Sequence, residues 1–455
     1  VSNEAHNLKQ LARDIFADAL QGMDAKRAVG EAVRLEGTRL TVVDAEFELN
    51  AFAGVYAVAL GKAGGAMAAA LDDVLGARLT RGVLSAPEPV ASLPARWQVF
   101  AGGHPLPNEA SLAAGHAARA LLHTVDRAAS LLLFLISGGG SAMMELPRDG
   151  RVTLAELRAT NRALVTCGAT IAEINAVRRA LSAVKGGGLS ALAPAAAQVS
   201  LIVSDTNPGA AAQVASGPTY APAQADDAAH VVADILERYQ LRRRLPASVL
   251  RALAEAQTED AARAQDAQAV GALRRHYVLL DNERAKEAAA QAARARGCAV
   301  EVCDDLTEAP VEAGCRELVA RLLRMRERTP AARTVCLISG GEFICPVRGD
   351  GTGGRNLEAA LRCAVEFAAH ADDITRAGWH VAALHAGTDG VDGNSPAAGA
   401  IADETTITRA HALGLDAADY LARSDAYNFF RPLGDAIETG PTGTNVRDLR
   451  ILLAS

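Results

Sequence analysis

The sequence predicts an α/β fold in two domains, each a mainly parallel sheet flanked by helices in three layers, with an active-site cleft between them. Three observations carry that expectation. Short continuous apolar runs, VYAVAL at 55–60 and LLLFLI at 131–136 among them, lead into glycine turns and then into apolar residues at helical spacing, the unit of a buried parallel sheet. A strand ending in LIS-GG stands at 135–139 and again at 337–341. The length, 455 residues, exceeds one ordinary core and points to two or three domains.

In chain order, Leu8, Leu11, Ile15, Ala19 and Leu20 have the spacing of an amphipathic helix and no apolar signal core. The run 55–60 reads as a strand ending in Gly61 and Lys62, with a helix over 66–75. Lys62 thus stands at the carboxyl end of a strand, where ligands of such sheets gather. The P-loop pattern is not met, since Ala63 follows the lysine. Strands near 82–86 and 97–101 precede GGHPLPNEAS, a turn holding His104, and a helix over 111–122. The strand 131–136 opens into Ser137, Gly138, Gly139, Gly140 and Ser141. Helices over 154–175 and 177–182 run to the tract Lys185–Gly188, read as a helix stop. The strand 199–203 delivers Asp205 and Asn207; Asp205 suits either a Mg²⁺ or water ligand or the cap of a turn. Ser216 and Gly217 lie in the loop beyond.

From 221 to 270 the composition reads as solvated helices bridging two domains. The expected boundaries are 1–245 for the first domain, 246–275 for a helical linker and 276–455 for the second domain, whose last residues could pack back on the first. In the second domain strands at 277–280, 299–303 and 334–338 alternate with helices over 282–296 and 310–326, where Arg321, Arg324, Arg326 and Arg328 read as a solvated face. The third strand ends in Ser339, Gly340, Gly341 and Glu342. Gly353, Gly354, Arg355 and Asn356 then precede Leu357, Leu361, Ala364, Val365 and Ala368 at helical spacing. That places them at a helix N-terminus, which favours an anion, with the arginine's fork suited to phosphate or carboxylate. A strand at 381–384 delivers Thr388, Asp389, Gly390, Asp392, Gly393 and Asn394, oxygen-rich but not spaced as an EF-hand. The C-terminal TGPTGTNVRDLRIL reads as a turn and a closing strand or helix.

Totals narrow the function. Charged residues are 22% and the net charge is −7, which gives no electrostatic reason for a nucleic-acid partner. Seven cysteines without a C-x-x-C pair suit reduced, mostly buried thiols and a cytoplasmic location. No apolar run is long enough to span a bilayer, so no membrane partner is expected. Gly349, Gly351 and Gly354 satisfy G-x-G-x-x-G, but the next strand delivers its acidic residue, Asp389, some thirty-five residues on instead of about twenty. Phosphoryl transfer accounts better for anion loops with one lysine, one arginine and several aspartates. A sugar-phosphate sensor would need the loops but not those side chains together.

The ordered set GKAGGAM (61–67), GGHPLPNEAS (102–111), ISGGGSA (136–142), VSDTNPG (203–209), SGPT (216–219), SGGE (339–342), GTGGRNLE (351–358) and TDGVDGNSPAAG (388–399) resembles the class II glycerate 2-kinases, which pair an N-terminal glycerate kinase domain with a C-terminal MOFRL domain. The resemblance implies transfer of the γ-phosphoryl group of ATP to the 2-hydroxyl of D-glycerate with Mg²⁺, in a monomer or homodimer. It matches Lys62 and Arg355 to the family's catalytic lysine and arginine, and 137–141 and 339–341 to its serine-glycine loops. Its acidic positions match Asp205, Glu342 and Asp389. Members also carry the name hydroxypyruvate reductase, so NAD(P)H-dependent reduction of hydroxypyruvate is the alternative. His385 stands where a small residue is expected before AGTDG.

Overall fold

Buried apolar strands set the framework, and in the computed structural model they assemble into two units, Ala25–Leu279 and Val1–Asp24 with Leu280–Ser455. The structure describes residues 3–87, 93–125, 129–220, 225–266, 273–330 and 333–455.

The first unit is built on strands β1 (Gly54–Leu60), β2 (Leu79–Ala86), β3 (Trp97–Ala101), β4 (Ser130–Ser137), β5 (Ala197–Val203) and β6 (Arg274–Leu280) in the order β3-β2-β1-β4-β5-β6. The pairs from β3 to β5 are all parallel. This is the doubly wound order, and it reverses between β1 and β4. Val58, Leu60, Leu132, Phe134 and Ile136 line one face against Ala114, Ala118, Leu121 and Leu122 of the helix Glu109–Val125.

A second core in this unit is wholly helical: Leu157, Leu164, Ile174, Val177, Leu181, Ile235, Leu236, Val249 and Leu253 pack together. Two capping boxes, Thr153 with Glu156 and Thr170 with Glu173, start separate helices at Leu154 and Ile171, so the single helix expected over 154–175 is broken. The helix Ala247–Asp266 packs on Ile171–Leu181 and Ala225–Arg238. The expected linker is therefore largely part of the first unit, because its Val249, Ala252 and Leu253 are apolar on one face; residues 267–272 lie outside the described residues. The short antiparallel sheet Val33–Glu36, Arg39–Val42 and Ala45–Glu48 was not anticipated.

The second unit comprises β7 (Ala299–Cys303), β8 (Val335–Gly341), β9 (Val381–Gly387), β10 (Gly399–Asp403), β11 (Ala436–Ile437) and β12 (Asp448–Ala454) in the order β7-β8-β12-β9-β10-β11. β7 and β8 are parallel, and β12 lies antiparallel between β8 and β9. The last residues thus fill the middle of their own sheet. Arg326 also departs from the expected solvated face: it is buried and donates to the carbonyls of Arg333 (2.6 Å) and Thr329 (2.7 Å).

The first helix, Asn3–Gly22, belongs with this unit and not with the first domain. Leu8, Ala12, Ile15, Phe16 and Ala19 share a core with Ala289, Ala293, Leu384, Ile451 and Leu453. The same helix carries Lys9, buried between Asp403 (2.9 Å) and Asp435 (2.7 Å). Removing the ammonium leaves Asp403 without its close cation, while Asp435 keeps Arg409, and breaking a buried pair in this way costs about 3–5 kcal/mol. Lys9→Ala is expected to lower the unfolding midpoint of the second unit accordingly, checked by denaturant melts.

Candidate functional site

In the first unit the order reversal brings the turn after β1 against the loop after β4. The Ser137 hydroxyl joins them, donating to the Leu60 carbonyl (3.2 Å) and accepting from Ala63 N–H (3.0 Å), while Lys62 N–H donates to the Gly138 carbonyl (2.9 Å). Gly61 sits at φ +108°, and a side chain there would collide with the Ser137 backbone, so only glycine permits this approach. Around the loop stand three polar side chains. Asp205 covers Gly138, and a methyl at Gly139 would lie 3.1 Å from His104 and 3.3 Å from the Lys62 stem. The structure thus brings Lys62, His104 and Asp205 to one place at the carboxyl ends of parallel strands. The amides of Gly138 and Gly139 donate to no group among the described residues.

Ser141 and Ser216 follow: their hydroxyls are 2.9 Å apart, and Ser216 donates to Asn175 Oδ1 (3.1 Å). Ala215, Ser216 and Gly217 are all left-handed, and Gly186 and Gly187 N–H hold the carbonyls of Ser216 (3.0 Å) and Gly217 (2.7 Å). The tract at 185–188 is therefore a clamp on that loop and not a helix stop, the preceding helix having ended at Leu181. Lys185, fully buried, is paired with Glu145, which also accepts from Ser182 Oγ (2.6 Å). Burial lowers the pKa of the ammonium, against the pull of the Glu145 charge.

In the second unit Arg355 opens the helix Arg355–Ala369. Its Nε donates to Asp448 (2.6 Å), and its Nη2 donates to Asp448 (3.0 Å) and Glu342 (2.8 Å). Nη1 makes no hydrogen bond among the described residues. Burial opposes the charge on this guanidinium, but the Asp448 and Glu342 carboxylates outweigh it and hold the pKa above its ordinary value. The anion expected at this helix N-terminus turns out to be the chain's own. Asp392 accepts from Asn356 N–H (3.1 Å), Leu357 N–H (2.8 Å) and the Asn356 amide (3.2 Å). A phosphate at Gly353–Asn356 would have to displace it.

The second LIS-GG loop is likewise closed from within. Gly341 N–H donates to Asn282 Oδ1 (2.8 Å) and Glu342 N–H to the Thr307 carbonyl (2.7 Å). Ser339 is buried, 3.3 Å from Arg450 Nη1, which also donates to the Gly340 carbonyl (2.6 Å). Gly353 N–H is held by Asn394 (2.8 Å), and Thr388 by the Arg447 carbonyl (2.7 Å). Gly354 packs on Asp392 and Gly390 on Gly440, while Asp389 accepts from Val391 N–H (3.2 Å). Of the residues expected as ligand contacts here, Ser339, Gly340, Gly341, Gly353, Asn356, Thr388 and Gly390 all make hydrogen bonds within the fold, and Gly354 packs on Asp392. His385 is fully buried against Cys363 (3.3 Å); burial, with the Arg450 charge, pushes its pKa down to about 3.

Residues 11–254 match a family model described as a domain of unknown function (DUF4147), and residues 335–448 match the MOFRL family. The chain is 31% identical to the D-glycerate 2-kinase of Thermotoga maritima, over 98% of this chain and 99% of that one. It is 35% identical to the glycerate kinase of Homo sapiens, over 98% and 93%. A solved glycerate kinase structure from Thermotoga maritima superposes with a TM-score of 0.77 at 30% identity, covering 99% of this chain and 100% of that one. The chain belongs to the class II glycerate 2-kinase family.

For this glycerate 2-kinase family member, sequence reasoning missed Asp448 and the capping role of Asp392. The signal for Asp448 was present, since Arg447, Asp448 and Arg450 interrupt an apolar strand and charges there must find partners. It also missed Glu145 as the partner of Lys185. The dinucleotide fingerprint has no strand to follow: Gly349–Gly354 stands in a loop well beyond the end of β8 at Gly341. Among the described residues no helix is long and apolar enough to cross a membrane.

Burial raises the Asp392 carboxyl to about 7, helped by the Asp448 charge and opposed by the Leu357 N–H and Arg355. A folded-state pKa above the unfolded one makes the folded state hold the extra proton between about pH 4 and 7. The stability it contributes is complete below the unfolded pKa and is lost as pH rises through 7. Asp392→Asn is therefore expected to flatten the fall in unfolding free energy between pH 5 and 8 relative to the unsubstituted protein, by on the order of 2–4 kcal/mol across that range, read from denaturant melts, although its stability at pH 5 is lower.

Proposed function

We propose that the protein is a glycerate 2-kinase that moves the γ-phosphoryl group of ATP to the 2-hydroxyl of D-glycerate, giving 2-phosphoglycerate and ADP. The observation that carries this reading is the loop after β4: two amides with no partner among the described residues, with Lys62 and Asp205 packed around them. Such a loop receives phosphate oxygens through main-chain N–H groups, and a neighbouring ammonium offsets their charge. Catalysis of phosphoryl transfer is chiefly positioning and charge stabilisation, so this equipment suffices without a covalent intermediate.

Arg355 is assigned to the same chemistry: its Nη1 keeps donors for an anion while Asp448 fixes the plane of the guanidinium. In this reading the hydroxyl oxygen of glycerate bonds to the γ-phosphorus, the bond to the bridging oxygen of ADP breaks, and the hydroxyl proton passes to a carboxylate such as Asp205 or Asp389. Mg²⁺ fits the donor set. No group of three or more histidine, cysteine or acidic side chains gathers among the described residues, so the ion would rest on one or two carboxylates, Asp205, Glu342 or Asp389, and on phosphate oxygens, its usual coordination with nucleotides. Bound there, it would neutralise phosphate charge.

Purified protein with ATP and D-glycerate is expected to release ADP, whereas NADH with hydroxypyruvate is expected to show no absorbance loss; the reverse pair of results identifies a reductase. Lys62→Ala and Arg355→Ala are each expected to lower kcat/KM for glycerate about a hundredfold or more, roughly 3 kcal/mol of transition-state stabilisation. Turnover at the unsubstituted rate in either variant removes that residue from the chemistry. Because Arg355→Ala also strands the buried Asp448, its fold is checked by circular dichroism beside the assay.

A further inference from the structure

The helix Ile171–Leu181 presents Asn175 and Arg179 one turn apart on one face. Asn175 accepts the Ser216 hydroxyl, which in turn lies beside Ser141 at the end of the glycine loop. The Arg179 stem packs on Gly186, within 3.0–3.3 Å of where a methyl there would stand, and the Gly186 amide holds the Ser216 carbonyl. Arg179 is thus tied, through one shell of contacts, to the same Ser216 turn that supports the loop.

What sets Arg179 apart is the lack of any counter-charge. Its guanidinium makes no hydrogen bond or ion pair among the described residues, yet it is half-buried. Its neighbours are provided for: Arg178 donates to Asn161 (2.8 Å), Arg148 donates to the Ser182 carbonyl (3.2 Å), and Lys185 has Glu145. Burial alone lowers the pKa of Arg179, with no carboxylate acting against it. A half-buried guanidinium with no carboxylate acting on it is open to one, and its planar fork matches that group.

Building on the kinase reading, we propose that Arg179 receives the carboxylate of the hydroxy-acid substrate, making it the residue that selects glycerate over uncharged polyols. The lysine and arginine of the phosphoryl chemistry are then left to the nucleotide. Arg179→Gln is expected to raise KM for D-glycerate roughly 10- to 100-fold, the worth of one charged hydrogen-bond pair, with KM for ATP within twofold of the unsubstituted value. Arg179→Lys is expected to fall between, since it restores charge without the fork. The same variants are expected to lose the preference for D-glycerate over glycerol and methyl glycerate, which a merely structural role would not move. An active Arg179→Gln or Arg179→Lys enzyme with unchanged KM for glycerate overturns this assignment and leaves the kinase reading standing. If Arg179→Gln fails to fold, Arg179→Lys alone decides on the same two measurements. Absence of glycerate-dependent ADP release from the unsubstituted protein overturns both.

Discussion

The carboxylate of Asp392 at the start of the helix Arg355–Ala369 is the contact on which the second unit's site depends. An N-terminal turn leaves amides without partners, and a buried one must be satisfied by something. Here the loop after β9 folds back to place both oxygens of Asp392 on Asn356 and Leu357. With the cap made internally, the helix dipole is spent on holding the loop, and Arg355 stands at the first helical position with Nη1 uncommitted among the described residues. Burial, with the nearby Asp448 charge adding to it, is why this carboxylate holds its proton so far above the usual aspartate range. Asn356 bridges the two acids, donating to Asp392 (3.2 Å) and Asp448 (2.9 Å).

In the first unit the controlling constraint is closeness of main chain at the point where strand order reverses. Parallel strands end together there, so the turn after β1 and the loop after β4 compete for one small volume. Ser137 resolves the competition with a hydroxyl that donates to one segment and accepts from it as well, and glycine at 61 removes the Cβ that would keep the two apart. Once the loop is pinned at Ser137, the amides of Gly138 and Gly139 make no hydrogen bond among the described residues, with the Asp205 side chain packed over Gly138. The contrast with β8 is instructive: an equally glycine-rich ending lies next to Asn282 and Thr307, and its amides are consumed by them. Composition alone does not decide which glycine amides stay uncommitted; the placement of local acceptors does.

That contrast also marks what the sequence could and could not reveal. β1 with Gly61 and Lys62, β4 with its glycine loop and β5 with Asp205 were readable because strands buried on both faces appear as unbroken apolar runs, and the residue after such a run is placed by the sheet itself. The partners that close the second loop are 59 residues away for Asn282 and Gly341, and 93 for Arg355 and Asp448, separations that no local pattern encodes. The first helix was readable as amphipathic, but its Lys9 belongs to Asp403 and Asp435, some four hundred residues on, and only tertiary packing tells which sheet it covers. The linker was misread because the alanine-rich composition of 246–256 dilutes an apolar face that is nevertheless buried.

Arg355 shows why a residue proposed for the site can resist being read as either scaffold or catalyst. One edge of its guanidinium is committed to Asp448, a carboxylate buried in the central strand of the sheet, and this commitment fixes the plane of the group. A lysine could pair with Asp448 but would have no second, rigidly placed donor to offer, since its ammonium is a point charge on a flexible stem. The arginine's remaining terminal nitrogen is therefore oriented by the fold before any ligand arrives, and the cost of ordering it is met in folding instead of in the reaction. The same reasoning separates it from Arg450, one fully buried residue further into the sheet. That guanidinium stacks 3.4 Å from the Phe343 ring and donates through Nη1 to main-chain carbonyls; burial lowers its pKa to about 10, and its Nη2 is buried with no hydrogen-bond partner among the described residues.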